Sequence, residues 1–303
     1  MILIRCAPIR RTFILSLHRE FNILRMDDKT IIKEVEVAMN YLDMAQSLLR
    51  KVLDRVENMP KLVCSPQLAP NKTFQNYIEG DSNKLARTVG LSIAERTGEI
   101  TFNPLFVFGP SGCGKTHLIS AIGLRYKEEN PQKRVLYVSA HEFQIQFADS
   151  VRHNTTNEFI NLYQSIDMLI VDDIQEWKNS PKTLESFFYI FNQMLCNDKQ
   201  IILASDRPLV ELKGMKSSIL TRFASGLVAE LEVPNEQLCI EILKAKCRHD
   251  NLTIPTDVIE FIAKTTKGSV CKLEGVANSL KAYSLAKNKD IDITMAESLI
   301  KTI

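Results

Sequence analysis

The sequence has no cysteine pair in C-x-x-C spacing, no histidines at metal-ligand spacing, and no apolar run long enough to cross a bilayer. Its seven cysteines (6, 64, 113, 196, 239, 247, 271) are odd in number and scattered, and the five histidines sit apart from them. A disulfide framework and a zinc site are therefore not expected, and a reducing cytoplasm is the expected setting. A membrane span needs roughly 18 or more consecutive apolar residues, which occur nowhere. Charge of one sign is missing too: 38 Lys and Arg stand against 36 Asp and Glu, so any basic surface is local. Internal repeats and low-complexity tracts are absent. What remains is the composition of a globular protein, 45% hydrophobic and 24% charged, long enough for one large or two ordinary domains.

Residues 1–25 are Arg-rich with Glu20 as the only acid, and their apolar runs are too short for an export signal. They are expected to be a disordered tail or a mis-assigned start, the functional chain beginning at Met26. From Asp27 to Val56 apolar residues recur at three- and four-residue spacing (Ile31, Val35, Leu42, Leu49, Val52), which predicts an amphipathic helix whose partner is the main body or another chain. Pro60 and the Pro66–Pro70 stretch read as a linker. Short apolar runs at Leu105–Phe108, Val135–Ser139, Met168–Val171, Ile201–Ala204 and Leu227–Val233 then alternate with helical patterns near 83–96, 115–127, 141–165 and 183–197. This alternation predicts an α/β fold, a parallel five-stranded sheet with helices on both faces. After Pro234 the strand signal stops, and four helices are expected near 236–249, 256–265, 270–287 and 294–301. The partition is thus 1–25, 26–65, an α/β domain over 66–234, and a small all-α lid over 235–303.

Gly109-Pro-Ser-Gly-Cys-Gly-Lys-Thr116 matches G-x-x-x-x-G-K-[ST] and lies between an apolar strand and the helix opening at His117. Glycines let successive backbone N–H groups turn toward phosphate oxygens, and the helix N-terminus adds partial positive charge. The expected cofactor-binding set here is Gly109, Gly112, Cys113, Gly114, Lys115, Thr116 and His117, with ATP as ligand. Lys115 would reach the β/γ-phosphates and the Thr116 hydroxyl would ligate Mg²⁺. Met168–Val171 delivers Asp172 and Asp173 to the carboxyl end of a strand, where ligands of open α/β sheets bind. Asp172 is assigned to Mg²⁺ and Asp173 to the attacking water; read alone, an Asp-Asp pair is equally a helix cap. Ser205-Asp206-Arg207-Pro208 ends a third strand, either as a plain turn or as a γ-phosphate sensor.

Asn71-Lys-Thr-Phe-Gln-Asn-Tyr-Ile-Glu-Gly80 with Asn83, Asn103-Pro-Leu-Phe106, the P-loop, Val171-Asp-Asp-Ile-Gln175, Ala204-Ser-Asp-Arg-Pro208, Leu220-Thr-Arg-Phe223 and Leu273-Glu-Gly275 follow one another in this order. Over residues 66–303 the chain resembles the AAA+ domain of the DnaA-type chromosomal replication initiators. The resemblance implies an AAA+ P-loop NTPase with a helical lid and an adenine pocket around Tyr77, Ile78 and Asn83. It also implies a sensor-1 role for Asp206 and an arginine-finger role for Arg222 toward a neighbouring subunit. The expected partners are then a second copy or a full-length initiator, engaged through Arg222. Single-stranded DNA is a further expected contact, through the inserted helices between Val138 and Ile166. Phe143, Ile145, Phe147, Val151 and Arg152 lie there, with Lys178 and Lys182 beyond; the same spacing fits a core-facing helix. A helicase loader, a transposition ATP-binding protein and a non-hydrolysing ATP-bound scaffold are the alternatives.

Three departures bear on these expectations. The position of the family's sensor-2 arginine holds Cys271, whose thiol supplies no guanidinium, and Lys272 lies about 100° further around the helix. ATP hydrolysis and ATP-dependent lid closure are put in doubt by this more than binding is. Ser218 replaces an arginine four positions before the finger. The chain ends at Ile303, where the family's helix–turn–helix would start, so sequence-specific reading of duplex DNA is not expected.

Overall fold

The computed structural model describes residues 28–57, 68–95, 102–287 and 289–301. The tail 1–25 and the linker residues 58–67 lie outside them. Two compact units are distinguished, 1–59 and 60–303. Among its described residues the first carries one helix, α1 (Asp28–Glu57), as its apolar period predicts. Val37, Tyr41, Leu42, Met44, Leu48 and Leu49 are exposed along it.

In the second unit, α2 (Lys84–Ala94) precedes a sheet of five parallel strands. These are β1 (Leu105–Phe108), β2 (Val135–Ser139), β3 (Met168–Asp172), β4 (Gln200–Ser205) and β5 (Leu227–Glu230). Their order is β2-β3-β4-β1-β5. That order explains the sequence patterns. The central strands β3 and β4 are buried along their whole length and read as continuous apolar runs. The edge strands β2 and β5 are less covered: β2 alternates between half-buried and buried residues, and β5 exposes Val228 and Glu230.

Helices cover both faces. One face packs α2 and α3 (Lys115–Glu129), whose Ala86, Ile93, Leu118, Ile119 and Ile122 lie over Val107, Ile170 and Ile202. The other packs α4 (Ala140–Arg152), α5 (Thr156–Gln164), α6 (Pro181–Cys196) and α7 (Ser217–Phe223). Its core is aromatic: Phe143 meets Phe159, Tyr163, Trp177 and Phe187 at centroid distances of 4.9–5.5 Å, three of these pairs edge-on at 64°, 76° and 90°. Caps set the helix starts. Ser139 Oγ accepts from Glu142 N at 3.1 Å, and Pro181 opens α6 in the first turn, where no N–H is needed.

Beyond Pro234, α8 (Glu236–His249), α9 (Thr256–Thr265), α10 (Val270–Lys287) and α11 (Ile293–Ile300) build a separate core from Leu243, Val258, Ile262, Leu273, Val276 and Leu280. Three details refine the sequence patterns. The helical pattern over 141–165 resolves into two helices, broken at Asn154, which sits at φ 56°. Helix α7 was not expected, being too short at 7 residues to show a period. The last strand stops at Glu230 rather than Val233. Among the described residues no helix is long and apolar enough to cross a membrane.

Candidate functional site

Because all five strands are parallel, the loops after β1, β3 and β4 emerge at one edge of the sheet. β4 lies between β1 and β3, so Asp206 stands between the phosphate loop and the acidic pair, an arrangement that strand order alone produces. Gly109 N–H donates to Ser205 O at 3.3 Å and fixes the loop against β4.

Within the loop, Gly112 and Gly114 take φ of 83° and 97°, where side chains are strained, and Gly114 leads into α3. Lys115 is buried, and its ammonium donates to Gly109 O at 2.7 Å and Pro110 O at 2.9 Å. An ammonium has three protons, so one remains for a further acceptor. Cys113 is buried beneath the loop, and burial pushes its thiol up. It contributes backbone and packing there.

Thr116 Oγ1 donates to Asp172 Oδ2 at 2.7 Å. The same carboxylate accepts from the Tyr137 hydroxyl at 2.9 Å and from Asp173 N–H at 2.9 Å. Burial raises the Asp172 carboxyl above its usual range, against the hydrogen bonds from Thr116 and Tyr137. Burial, then the charge of Asp172, likewise raises the Tyr137 phenol. Tyr137 escaped the sequence reading. It lies one strand away on β2, opposite Ile170, and nothing in the linear pattern marks it.

Asp173 sits at φ 57°, which turns its side chain out of the strand line. Its Oδ1 accepts from Gln175 Nε2 at 2.9 Å, while Gln175 Oε1 accepts from Asp206 N–H at 3.2 Å. Asp206 is held by Arg207 in a two-pronged pair, Nε to Oδ1 at 2.7 Å and Nη2 to Oδ2 at 2.8 Å. That pairing, aided by the charge of Lys115, holds the Asp206 carboxyl below its usual range. Gln175 and Arg207 stand in motif segments, yet their partners are visible only in three dimensions.

The segment 77–83 borders the loop on a second side. The Tyr77 ring packs edge-on to His117, centroids 5.1 Å apart, and lies against Gly114. Asn83 closes the segment on itself, accepting from Gly80 N–H at 3.0 Å and donating to Ile78 O at 2.9 Å. His117 Nε2 meets Thr73 O at 3.1 Å; a carbonyl only accepts, so Nε2 carries the proton. Burial pushes the His117 imidazole below its ordinary range. Ile78 is half-buried.

The lid touches the loop directly. Val270 N–H donates to Gly112 O at 2.9 Å, and a Cβ on Gly112 would stand 2.9 Å from Ser269 Oγ and 3.8 Å from the Cys271 Cβ. Position 271 is therefore at the phosphate loop, as the resemblance implies, but carries a thiol. Arg222 is apart from all this, exposed on α7, and no ion pair among the described residues engages it. Of the residues considered for DNA, Phe143 is fully buried and Phe147 packs against the same core, which corrects that part of the expectation. Ile145, Val151, Arg152, Lys178 and Lys182 are exposed.

A phosphate loop beside an acidic strand end is shared by many nucleotide-binding proteins, so the comparisons with known proteins narrow the assignment. Residues 68–230 match the family model "Bacterial DnaA ATPAse domain". The chromosomal replication initiator protein DnaA of Bacteroides fragilis is 52% identical over 238 residues, covering 78% of this chain and 50% of the relative. The crystal structure of domain III of the Thermotoga maritima replication initiation protein DnaA superposes with a TM-score of 0.74 at 31% identity, covering 77% of this chain and 97% of that one. A replication initiator DnaA bound to AMPPCP and single-stranded DNA superposes with a TM-score of 0.66 at 36% identity, covering 71% of this chain and 66% of that one. The chain spans about half the length of the curated relatives it matches. The matched span runs from the segment before Tyr77 to the end of β5 and encloses every strand-end residue of the site, and on these grounds the chain belongs to the bacterial DnaA ATPase family.

Proposed function

We propose that this chain binds ATP with Mg²⁺ at the loop Gly109–Thr116 and uses the bound triphosphate to control assembly in the initiation of chromosomal replication. The observation that carries the reading is the junction of Thr116 and Asp172, 2.7 Å apart at the foot of the phosphate loop. A hydroxyl and a carboxylate side by side suit Mg²⁺, which takes oxygen ligands and is completed by phosphates and water rather than by a protein cage. In this reading the third proton of Lys115 goes to a phosphate oxygen, the N–H groups of residues 112–116 line the triphosphate, and Tyr77, Ile78, Asn83 and His117 border the adenine. Asp173 orients water and Asp206 faces the γ-phosphate side.

Arg222, exposed on α7 and free of an ion pair among the described residues, is the group offered to the nucleotide of a neighbouring subunit. The partner is a second copy or a full-length initiator. The exposed residues Ile145, Val151, Arg152, Lys178 and Lys182 are the candidate contacts for single-stranded DNA, apolar side chains against bases and cations along phosphates. Cys271 beside Gly112 supports a second reading, an ATP-bound scaffold that turns nucleotide over slowly or not at all.

The test is direct. Nucleotide affinity is measured by calorimetry and assembly by sedimentation, with ATP and with ADP. Lys115→Ala is expected to weaken ATP binding at least tenfold. Arg222→Ala is expected to keep ATP affinity within about twofold and to abolish ATP-dependent oligomers. Unchanged affinity in the first variant would overturn the phosphate-site assignment. Unchanged assembly in the second would remove Arg222 from the interface.

A further inference from the structure

We infer that Gln175 is a positioning residue that links the water side of the γ-phosphate site, Asp173, to its sensing side, the end of β4 at Asp206. The inference rests on the ATP reading above and deepens it. One primary amide makes both links: Nε2 donates to Asp173 Oδ1 at 2.9 Å, and Oε1 accepts from Asp206 N–H at 3.2 Å. The orientation of the amide is forced. A backbone N–H only donates, so the amide oxygen must face Asp206 and a flipped amide would lose that bond.

The surroundings make the link stiff. Gln175 lies in the 3-10 turn Ile174–Asn179, between Ile174 and Trp177, both fully buried. Trp177 Nε1 is pinned to Ala140 O at 2.7 Å. On one side Asp173 is turned out of its strand at φ 57°. On the other, Asp206 is clamped by both arms of Arg207, and Arg207 N–H donates to Ser205 Oγ at 3.2 Å. A shift of the Asp206 backbone toward or away from a γ-phosphate therefore moves the N–H that Gln175 Oε1 accepts from, and through the amide the carboxylate of Asp173. The strands bearing these groups are direct neighbours, so the amide closes a ring whose other half is the β3–β4 ladder.

Methionine matches glutamine in length and offers neither hydrogen bond. Glutamate keeps an acceptor for Asp206 N–H but sets a second negative charge against Asp173. Measured on the full chain with ATP, Gln175→Met is expected to lower kcat about tenfold, while KM, ADP affinity and Tm stay near the unmodified values. Gln175→Glu, which retains one link and reverses the other, is expected to lower kcat at least as far. Equal kcat in the unmodified chain and both variants would overturn the inference. So would a parallel loss of ADP affinity and Tm, which marks a merely structural side chain, and so would an unmodified chain that binds ATP and turns none over. Failure of the underlying reading looks different: Lys115→Ala would then bind ATP as tightly as the unmodified chain, and the inference falls with it.

Discussion

Replacing Cys271 by arginine would supply the cation that the resemblance in motif order leads one to expect at this position. The structure says what that change should do. Residue 271 lies in the first turn of α10, next to Val270, whose N–H is bonded to Gly112 O, and its Cβ is 3.8 Å from where a Cβ on Gly112 would be. Cys271 is exposed, so a longer side chain has room to extend over the loop. A guanidinium there is expected to meet the outermost phosphate of a bound triphosphate. Charge-assisted hydrogen bonds of this kind contribute about 1.5–3 kcal/mol, which corresponds to roughly 10- to 150-fold in affinity. The gain should fall on ATP and largely spare ADP, because the interaction exists only where the γ-phosphate does. Calorimetric titration of both nucleotides into unmodified and Cys271→Arg protein reads the ratio directly. A rise in ATP turnover would follow if the missing cation is also what limits hydrolysis. An unchanged ratio of ATP to ADP affinity would refute the argument, since it would mean that position 271 does not reach the γ-phosphate. Equal tightening of both nucleotides would refute it as well, showing a general electrostatic pull instead.

Two further expectations concern the fold around the site. A Cβ on Gly109 would overlap Leu231 O and stand 3.1 Å from Leu231 C, and backbone cannot swing aside as a side chain can. Gly109→Ala should therefore cost about 1–3 kcal/mol and lower Tm by roughly 2–12 °C, and calorimetry showing an unchanged Tm would refute the clash. Burial pushes the His117 imidazole below its ordinary value, so the unfolded chain takes up the proton first as pH falls. The contribution of His117 is fully present above about pH 6.5 and is lost as pH drops toward the folded-state value. Denaturant titrations at a series of pH values should show this loss in the unmodified chain and a flatter profile in His117→Gln; parallel profiles would argue against it.

The sequence by itself determined most of the architecture and the phosphate loop. Strand periods, the glycine spacing of 109–114 and the apolar run ending in Asp172 are local signals, written in consecutive residues and readable without knowing what packs where. The helical character after Pro234 was legible for the same reason. The sequence also placed Cys271 at a position of consequence, through the order of motifs around it. Tertiary structure decided the rest. Strand order brought β4 between β1 and β3, and so set Asp206 between the loop and the acidic pair. The hydroxyl of Tyr137 reaches Asp172 across a strand boundary, and the amide of Gln175 spans two strand ends. Phe143 shows the converse. Its spacing suits either a DNA-facing helix or a core, and only the ring of aromatic partners around it settles that it is core. Period and spacing report which face of an element is apolar; which groups meet across elements depends on how the chain returns on itself, and that is a property of packing.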